Sequence, residues 1–230
     1  MPSPIAPARR HRRSADARWG CAPAVQARGR ETMDLFARAA EELLRTRPFE
    51  EISVQDIVRR ARRPVGSFYA RFASREALLP FLYQRYHEGL EALLASRLGS
   101  VPWPALGFAR TVEALVDMVL ETYAERRWLI RALALFARSR PEALPDDILS
   151  RRRRAYEPMV EVLLRHRARI AHEDPEAAIR FGIFLVSSTA REKLLFADAP
   201  LSRVTPLGRA DLRRELVRVL HSYLSGEAPR

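Results

Sequence analysis

One cysteine, one lysine and nine glycines occur in 230 residues, and each scarcity removes a class of function. A lone Cys21 leaves no partner for an internal disulfide and no cysteine-rich metal site, which fits a reducing compartment. No apolar run approaches the roughly 18 to 20 residues that span a bilayer, and the arginines near the start are not followed by an apolar stretch of signal-peptide type. The expected location is the cytoplasm, with no membrane partner. There is no phosphate-cradling glycine loop, no Cys/His metal spacing and no nucleophile-base arrangement above chance, and His11, His87, His166, His172 and His221 are scattered. No catalytic role and no cofactor are expected. Alternating strand patterns and repeats of fixed period are missing as well, which leaves an all-α fold.

What remains is a charged, helical, globular chain. With 47% apolar and 30% charged residues, the composition is that of a folded protein of one or two domains. The net charge of +12 comes almost entirely from arginine, Lys193 being the single lysine; a GC-rich genome accounts for that bias. The charge is unevenly placed. Residues 1 to 30 hold seven arginines against one acid, Asp16, with several prolines and little apolar periodicity, so this segment does not offset its own ordering entropy. Residues 1–29 are therefore read as a disordered basic arm. Such an arm can follow a DNA backbone or enter a minor groove; a solvated tail or a misassigned start codon would give the same composition.

From about Arg30 the pattern turns helical. Phe36, Ala39, Ala40, Leu43 and Leu44 share one face, and Arg47-Pro48 closes a first helix predicted over about 30 to 47, because proline restricts the residue before it and has no backbone donor. Ser53 suits the N-cap of a second helix, Val54 to about Ala61. Arg62 and Arg63 then turn the chain, and Pro64 suits the first position of a third helix ending near Arg71 or Phe72. Ser74 is expected to cap a long helix with Glu76 in its first turn and Leu78, Leu79, Leu82, Tyr86, Leu90 and Leu93 on one stripe, reaching about Leu98. Between Ile57 and Arg75 stand six arginines and no acid, while Ile57, Val58, Ala61, Phe68 and Phe72 form an apolar skeleton. One face packs; the other can meet phosphate. Phe68 and Phe72 are read as core rather than as base-stacking residues, and Arg59 and Arg60 suit a solvated face as well as phosphate contact.

Beyond residue 100, Pro102 and Pro104 bracket Trp103, and apolar helical patterns recur over about 105 to 140, 145 to 170, 174 to 197 and 206 to 225. Residues 181 to 190 are apolar or small on nearly every face, as in a helix buried in its own subunit and against another. Thr205-Pro206 begins a last helix with Leu212, Leu216, Val219, Leu220, Tyr223 and Leu224 in one stripe. Aromatic and methionine residues such as Tyr123, Phe136, Tyr156 and Phe181 are spread through this half, where such residues are more often core than ligand walls. The run Arg151 to Arg154 suits a charged helix surface, or the attraction of an acidic ligand.

Ser53, Val54, Ile57, Ala61, Gly66, Ser67, Phe68, Tyr69, Phe72, Ser74, Arg75, Glu76, Leu78 and Leu79 together carry a family resemblance. The ordered spacing resembles the tetracycline-repressor (TetR) family of transcription regulators: an apolar first helix, a Ser/Thr-capped second, a Gly-Ser/Thr-aromatic-Tyr-x-x-Phe recognition helix, then Ser-Lys/Arg-Glu-x-Leu. Arg62 stands where that family usually has glycine, and a non-glycine residue in a left-handed conformation there costs about 1 kcal/mol. Pro48 likewise replaces a common helix-ending glycine. The resemblance implies an N-terminal three-helix helix-turn-helix DNA-binding domain over residues 30–90. A long helix would join it to a C-terminal helical effector-binding and dimerisation domain over residues 100–226.

The resemblance also implies roles. Val65, Gly66 and Ser67 open the recognition helix and are short enough for close approach to base edges, Ser67 as donor or acceptor and Val65 against a thymine methyl. Ser53, Val54 and Gln55 lie at the start of the second helix, where Gln55 reaches a base or phosphate. Tyr69 and Arg75 match positions that hold the DNA backbone, and Arg71 is placed for a phosphate or a guanine edge. Ile183 and Ser187, with Leu216 and Leu220 on the last helix, are expected to form a four-helix dimer interface, a monomer core being the other reading of those stripes. The implied function is a homodimeric regulator, a repressor that binds a double-stranded DNA operator and responds to an unidentified small molecule. An architectural DNA-binding protein without an effector and an all-α enzyme are the alternatives.

Overall fold

The computed structural model describes residues 27–144 and 147–226, and the regular structure among them is entirely helical. The expected basic arm lies outside the described residues except at its end, since Ala27 already opens α1 (Ala27–Leu43). That helix stops earlier than its apolar pattern. The amides of Arg45 and Thr46 bond three residues back, to Glu42 and Leu43, and this tightened turn leads into Pro48. A short 3-10 turn, Phe49–Glu51, precedes α2 (Val54–Arg60), α3 (Val65–Tyr69) and the long α4 (Leu78–Gly99). Ser74 caps not α4 itself but a lead-in turn, accepting the Ala77 amide at 3.2 Å, while the amides of Leu78 and Leu79 bond to the carbonyls of Arg75 and Glu76.

The pattern over 105 to 140 is two helices, α5 (Phe108–Glu125) and α6 (Arg127–Ser139). They meet at the exposed charged triplet Glu125-Arg126-Arg127, where Arg126 leaves helical geometry at φ −122 and ψ 30. Then follow α7 (Ile148–Leu164), α8 (Pro175–Leu195), a short α9 (Pro200–Val204) and α10 (Arg209–Ser225). Asp174 caps α8 by accepting the Ala177 amide at 3.0 Å, with Pro175 in the first turn where its missing donor costs nothing. Pro206 lies ahead of α10, whose N-cap is Gly208. Among the described residues no helix is long and apolar enough to cross a membrane.

Two large hydrophobic clusters make up most of the interior, beside a small third one of Ile130, Leu195 and Phe196. The first gathers Phe36 of α1, Ile57 of α2, Phe68 of α3, Phe72, and Leu78 and Leu82 of α4, and it extends to Leu129, Leu133 and Phe136 of α6. The second is built from α5, α7, α8 and α10 around residues such as Val116, Leu163, Ile179 and Leu216, with Leu90, Leu94 and Leu98 of α4. Helix α4 thus belongs to both clusters. Polar ties fix its placement: Arg85 donates to Asp34 at 2.7 Å and to Glu41 at 3.2 Å, clamping α4 to α1, and the Trp103 indole donates to the Leu98 carbonyl at 2.6 Å where α4 ends.

Candidate nucleic-acid interface

The surface formed by α2 and α3 begins with a capping box. The Ser53 hydroxyl accepts the Asp56 amide at 3.1 Å, and the Asp56 carboxylate accepts the Ser53 amide at 3.0 Å, satisfying two otherwise orphaned donors. The Ser53 amide, then its hydroxyl, with Arg47 and Arg59 adding to both, hold the Asp56 carboxyl below its usual range. Helix α2 closes in a Schellman motif. Arg62 takes the left-handed conformation at φ 52, its amide bonding to Arg59 O at 3.2 Å, and the Arg63 amide reaches Val58 O at 3.0 Å. The structure therefore uses Arg62 where a glycine would be unstrained, at the cost of about 1 kcal/mol anticipated above. Pro64 is the N-cap of α3, not its first residue: its ψ of 148 is extended, and it accepts from the amide and hydroxyl of Ser67.

Helix α3 is only five residues long, so packing rather than propensity holds it. Phe68 and Phe72 are fully buried, as their spacing implied. The Phe68 ring meets Phe36 edge-on at 5.2 Å, a geometry that aromatic quadrupoles favour, and lies tilted against Phe72 at 5.3 Å. The opposite face is open. Gln55, Arg59, Arg62, Arg63, Val65, Gly66 and Tyr69 are exposed, Tyr69 by 55%. A Cβ on Gly66 would meet nothing within 4 Å, so the chain's own packing does not require a glycine there. Val54 and Ser67 are half-buried, and the Ser67 hydroxyl donates to Pro64 O at 2.6 Å. Arg71 is half-buried, its Nη1 donating to Ala70 O at 3.3 Å and its Nε lacking a hydrogen-bond partner.

Arg75, expected at the DNA backbone, is held by contacts within the chain. Its Nη1 donates to the carbonyls of Phe49, Glu50 and Ile52, at 2.9 Å for Ile52, its Nη2 pairs with Glu76 at 2.7 Å, and the guanidinium stacks over the Phe49 ring. From the turn that leads into α4, the half-buried side chain braces the segment before α2. Arg62 and Arg63, which the sequence places in the turn, border the open face of α3. Both are exposed beside α3, and among the described residues no ion pair engages them, whereas Arg60 pairs with Glu42.

Two cavities lie in the C-terminal half. One, of about 260 Å³, sits between α4, α6 and α7, with Tyr83, Tyr86, His87, Leu133 and Arg138 among its walls. The other, of about 330 Å³, lies between α7 and α8 and shares Tyr123, Arg152, Tyr156 and Arg191 with the first. His87 is buried between the rings of Tyr83 and Tyr86. Burial, then Arg152 and Arg151, lower its pKa to about 3.

The four residues expected at a dimer interface lie inside the chain. Ile183, Ser187, Leu216 and Leu220 are all buried within the chain itself. Helices α8 and α10 pack so closely that a Cβ on Gly182 would lie 2.6 Å from Leu220 Cδ1. A helix apolar on every face gives no sign of which side its own chain covers. The large apolar residues that these helices leave exposed are Phe181, Phe184 and Val219, Phe184 by 64%.

Comparisons with known proteins bear on both halves. Residues 37–80 match the model of the family described as bacterial regulatory proteins, tetR family. No curated protein sequence matches the chain. Among solved structures, it is similar to a TetR-family transcriptional regulator from Mesorhizobium loti, at 13% identity and TM-score 0.53 over 86% of this chain and 97% of that one. A TetR transcriptional regulator from Rhodococcus sp. gives 15% identity and TM-score 0.52 over 87% of this chain and all of that one (100%). RolR, solved in complex with its ligand resorcinol, gives 15% identity and TM-score 0.50 over 86% of this chain and 89% of that one. At these identities the likeness is one of fold.

Proposed function

We propose that this chain, whose residues 37–80 match the model described as bacterial regulatory proteins, tetR family, is a cytoplasmic homodimer that represses transcription at a double-stranded DNA operator and releases it on binding a small molecule. The observation that carries this reading is a shared wall. Tyr83, Leu133 and Ile148 belong to the cluster that supports α3 and also line the 260 Å³ cavity. A ligand there moves α4 or α6 against the seat of the recognition helix. Release then requires higher affinity for the arrangement that fits DNA poorly, since equal affinity shifts nothing.

In this reading Val65, Gly66 and Tyr69 meet the duplex, with Ser67 at the edge of the contact. Arg59, Arg62 and Arg63 supply phosphate charge, while Gln55, at the start of α2, and Arg71 flank them. Arg75 positions α2 instead of touching DNA. The dimer forms through the outer faces of α8 and α10, around Phe181, Phe184 and Val219, and its two-fold axis demands two related half-sites. Selection from random duplexes tests this: an inverted repeat should emerge, bound by a dimer. Phe184→Glu should yield folded monomers with much weaker operator binding. Salt-sensitive binding without sequence preference would replace the regulator by an architectural protein.

A further inference from the structure

Ser187 and Arg191 stand one turn apart on α8, and both line the 330 Å³ cavity. Ser187 is 9% exposed and its Oγ has no hydrogen-bond partner; the Nε of Arg191 is likewise buried and unpartnered. A buried donor left unsatisfied costs about 1–3 kcal/mol, more when charged, so two on one wall work against the stability of the chain alone. Such groups call for a partner.

The remaining wall specifies what that partner is. Arg152, Arg153 and Arg180 also line the cavity, and no carboxylate does. Arg180 is paired with Glu157 and Glu176 at 2.7 Å each, whereas among the described residues no ion pair engages Arg152, Arg153 or Arg191. Arg152 donates to the Tyr83 hydroxyl at 3.3 Å. Tyr123 and Tyr156 present flat faces beside this charge, with Val160, Ile183 and Phe184 completing the apolar surface. Burial pushes the Tyr123 hydroxyl well above its usual pKa, so the ring stays neutral and adds no competing negative charge. A cation would meet only like charge here, and a neutral apolar molecule would leave the Arg191 guanidinium unanswered.

We infer that the ligand is an amphipathic organic anion, its carboxylate or sulfonate held by Arg191, Ser187 and Arg152 and its ring or chain laid against Tyr123 and Tyr156. This rests on the reading of the chain as an effector-responsive regulator and names the effector's chemistry: the anionic end sits in the 330 Å³ cavity, and the shared walls at Tyr123, Arg152, Tyr156 and Arg191 connect it to the 260 Å³ cavity beside the seat of α3. Arginine suits the task because its fork of N–H donors matches two oxygens of one anion at once.

A matched pair of fluorescent probes tests the inference on the full chain without DNA: 8-anilinonaphthalene-1-sulfonate, and N-phenyl-1-naphthylamine, which has the same rings and no sulfonate. The sulfonate should bind saturably, one per protomer, and at least about tenfold tighter than the amine. Arg191→Met should erase most of that preference without lowering the melting temperature, because it removes an unpaired guanidinium, and Arg191→Lys should restore part of it. Equal affinities, no saturable binding of either probe, or a preference that survives Arg191→Met would overturn the anion site. So would an Arg191→Met protein whose dimerisation changes while probe binding does not, which would assign the arginine to a carboxylate of a second copy. Operator titrations with the same probes separate the two claims. Sulfonate selectivity in a protein that selects no operator leaves the anion site and removes the regulator, and operator release by the neutral amine does the reverse.

Discussion

The two large hydrophobic clusters solve different problems. Around α3 the interior is aromatic and close-fitting, with Phe36, Phe68 and Phe72 in mutual ring contact, and the exposed residues stand on a short helix that this packing fixes. Behind it, branched aliphatic side chains from α5, α7, α8 and α10 leave room between α4, α6, α7 and α8, where tyrosines and arginines line two cavities. A surface that reads DNA gains from rigidity. On the proposed reading, the half that answers a ligand needs space and polar groups awaiting a partner.

The largest effect should come from breaking the tight side. Phe68→Ala removes the ring at the centre of the aromatic cluster and should cost about 3–5 kcal/mol, measured by urea unfolding, with loss of DNA binding in any protein that still folds. A loss below about 1 kcal/mol would mean that α3 is held by something other than this packing. Next in size is a pH effect at the border of the two regions. His87 keeps a folded pKa of about 3, below the ordinary 6.5, so below pH 6.5 the unfolded chain binds a proton that the folded one refuses. Stability therefore falls as pH drops from 6.5 toward 3, by about 2 kcal/mol between pH 7 and pH 5. His87→Gln should flatten that slope in denaturation curves taken across the range; an unchanged slope would assign it to other groups.

The same contrast separates what the sequence made legible from what it did not. The N-terminal motif is local: Ser53, the arginine turn and the phenylalanine spacing lie within a few residues of the groups they serve, so their chemistry can be read in order. Even there Arg75 escaped, because its acceptors at Phe49, Glu50 and Ile52 lie 23 to 26 residues away. In the C-terminal half the informative relations are all of that distant kind. Tyr86, Tyr123, Tyr156 and Arg191 share cavity walls although each is more than about 30 positions from the next in the chain. The outward side of α8 cannot be chosen from a segment apolar all round. Periodicity also ran α5 and α6 together, since the exposed break at Arg126 contains neither proline nor glycine.

One substitution made twice sharpens the comparison. Ala40 is fully buried in the first cluster, while Ala134 lines the 260 Å³ cavity. Ala40→Leu should overpack its site and cost about 1–3 kcal/mol, whereas Ala134→Leu should grow into the cavity at a cost below about 1 kcal/mol. Paired thermal melts decide between them, and equal losses would mean that the cavity wall is as tightly fixed as the aromatic cluster.

The smallest expected change is the most direct probe of the DNA surface. Gly66 lies inside α3, where glycine is less favourable than alanine by roughly 0.5–1 kcal/mol, and its added Cβ would touch nothing in the chain. On folding grounds alone, Gly66→Ala should stabilise the protein by up to about that amount. If the α3 face lies against a duplex, the same methyl group enters a contact where backbone and DNA approach closely, and operator affinity should fall while the melting temperature rises. Opposite movements of the two measurements would mark Gly66 as a residue held for its partner rather than for the fold. A more stable variant that binds the operator as tightly as the parent would move the close contact elsewhere on α3, toward Val65 and Tyr69.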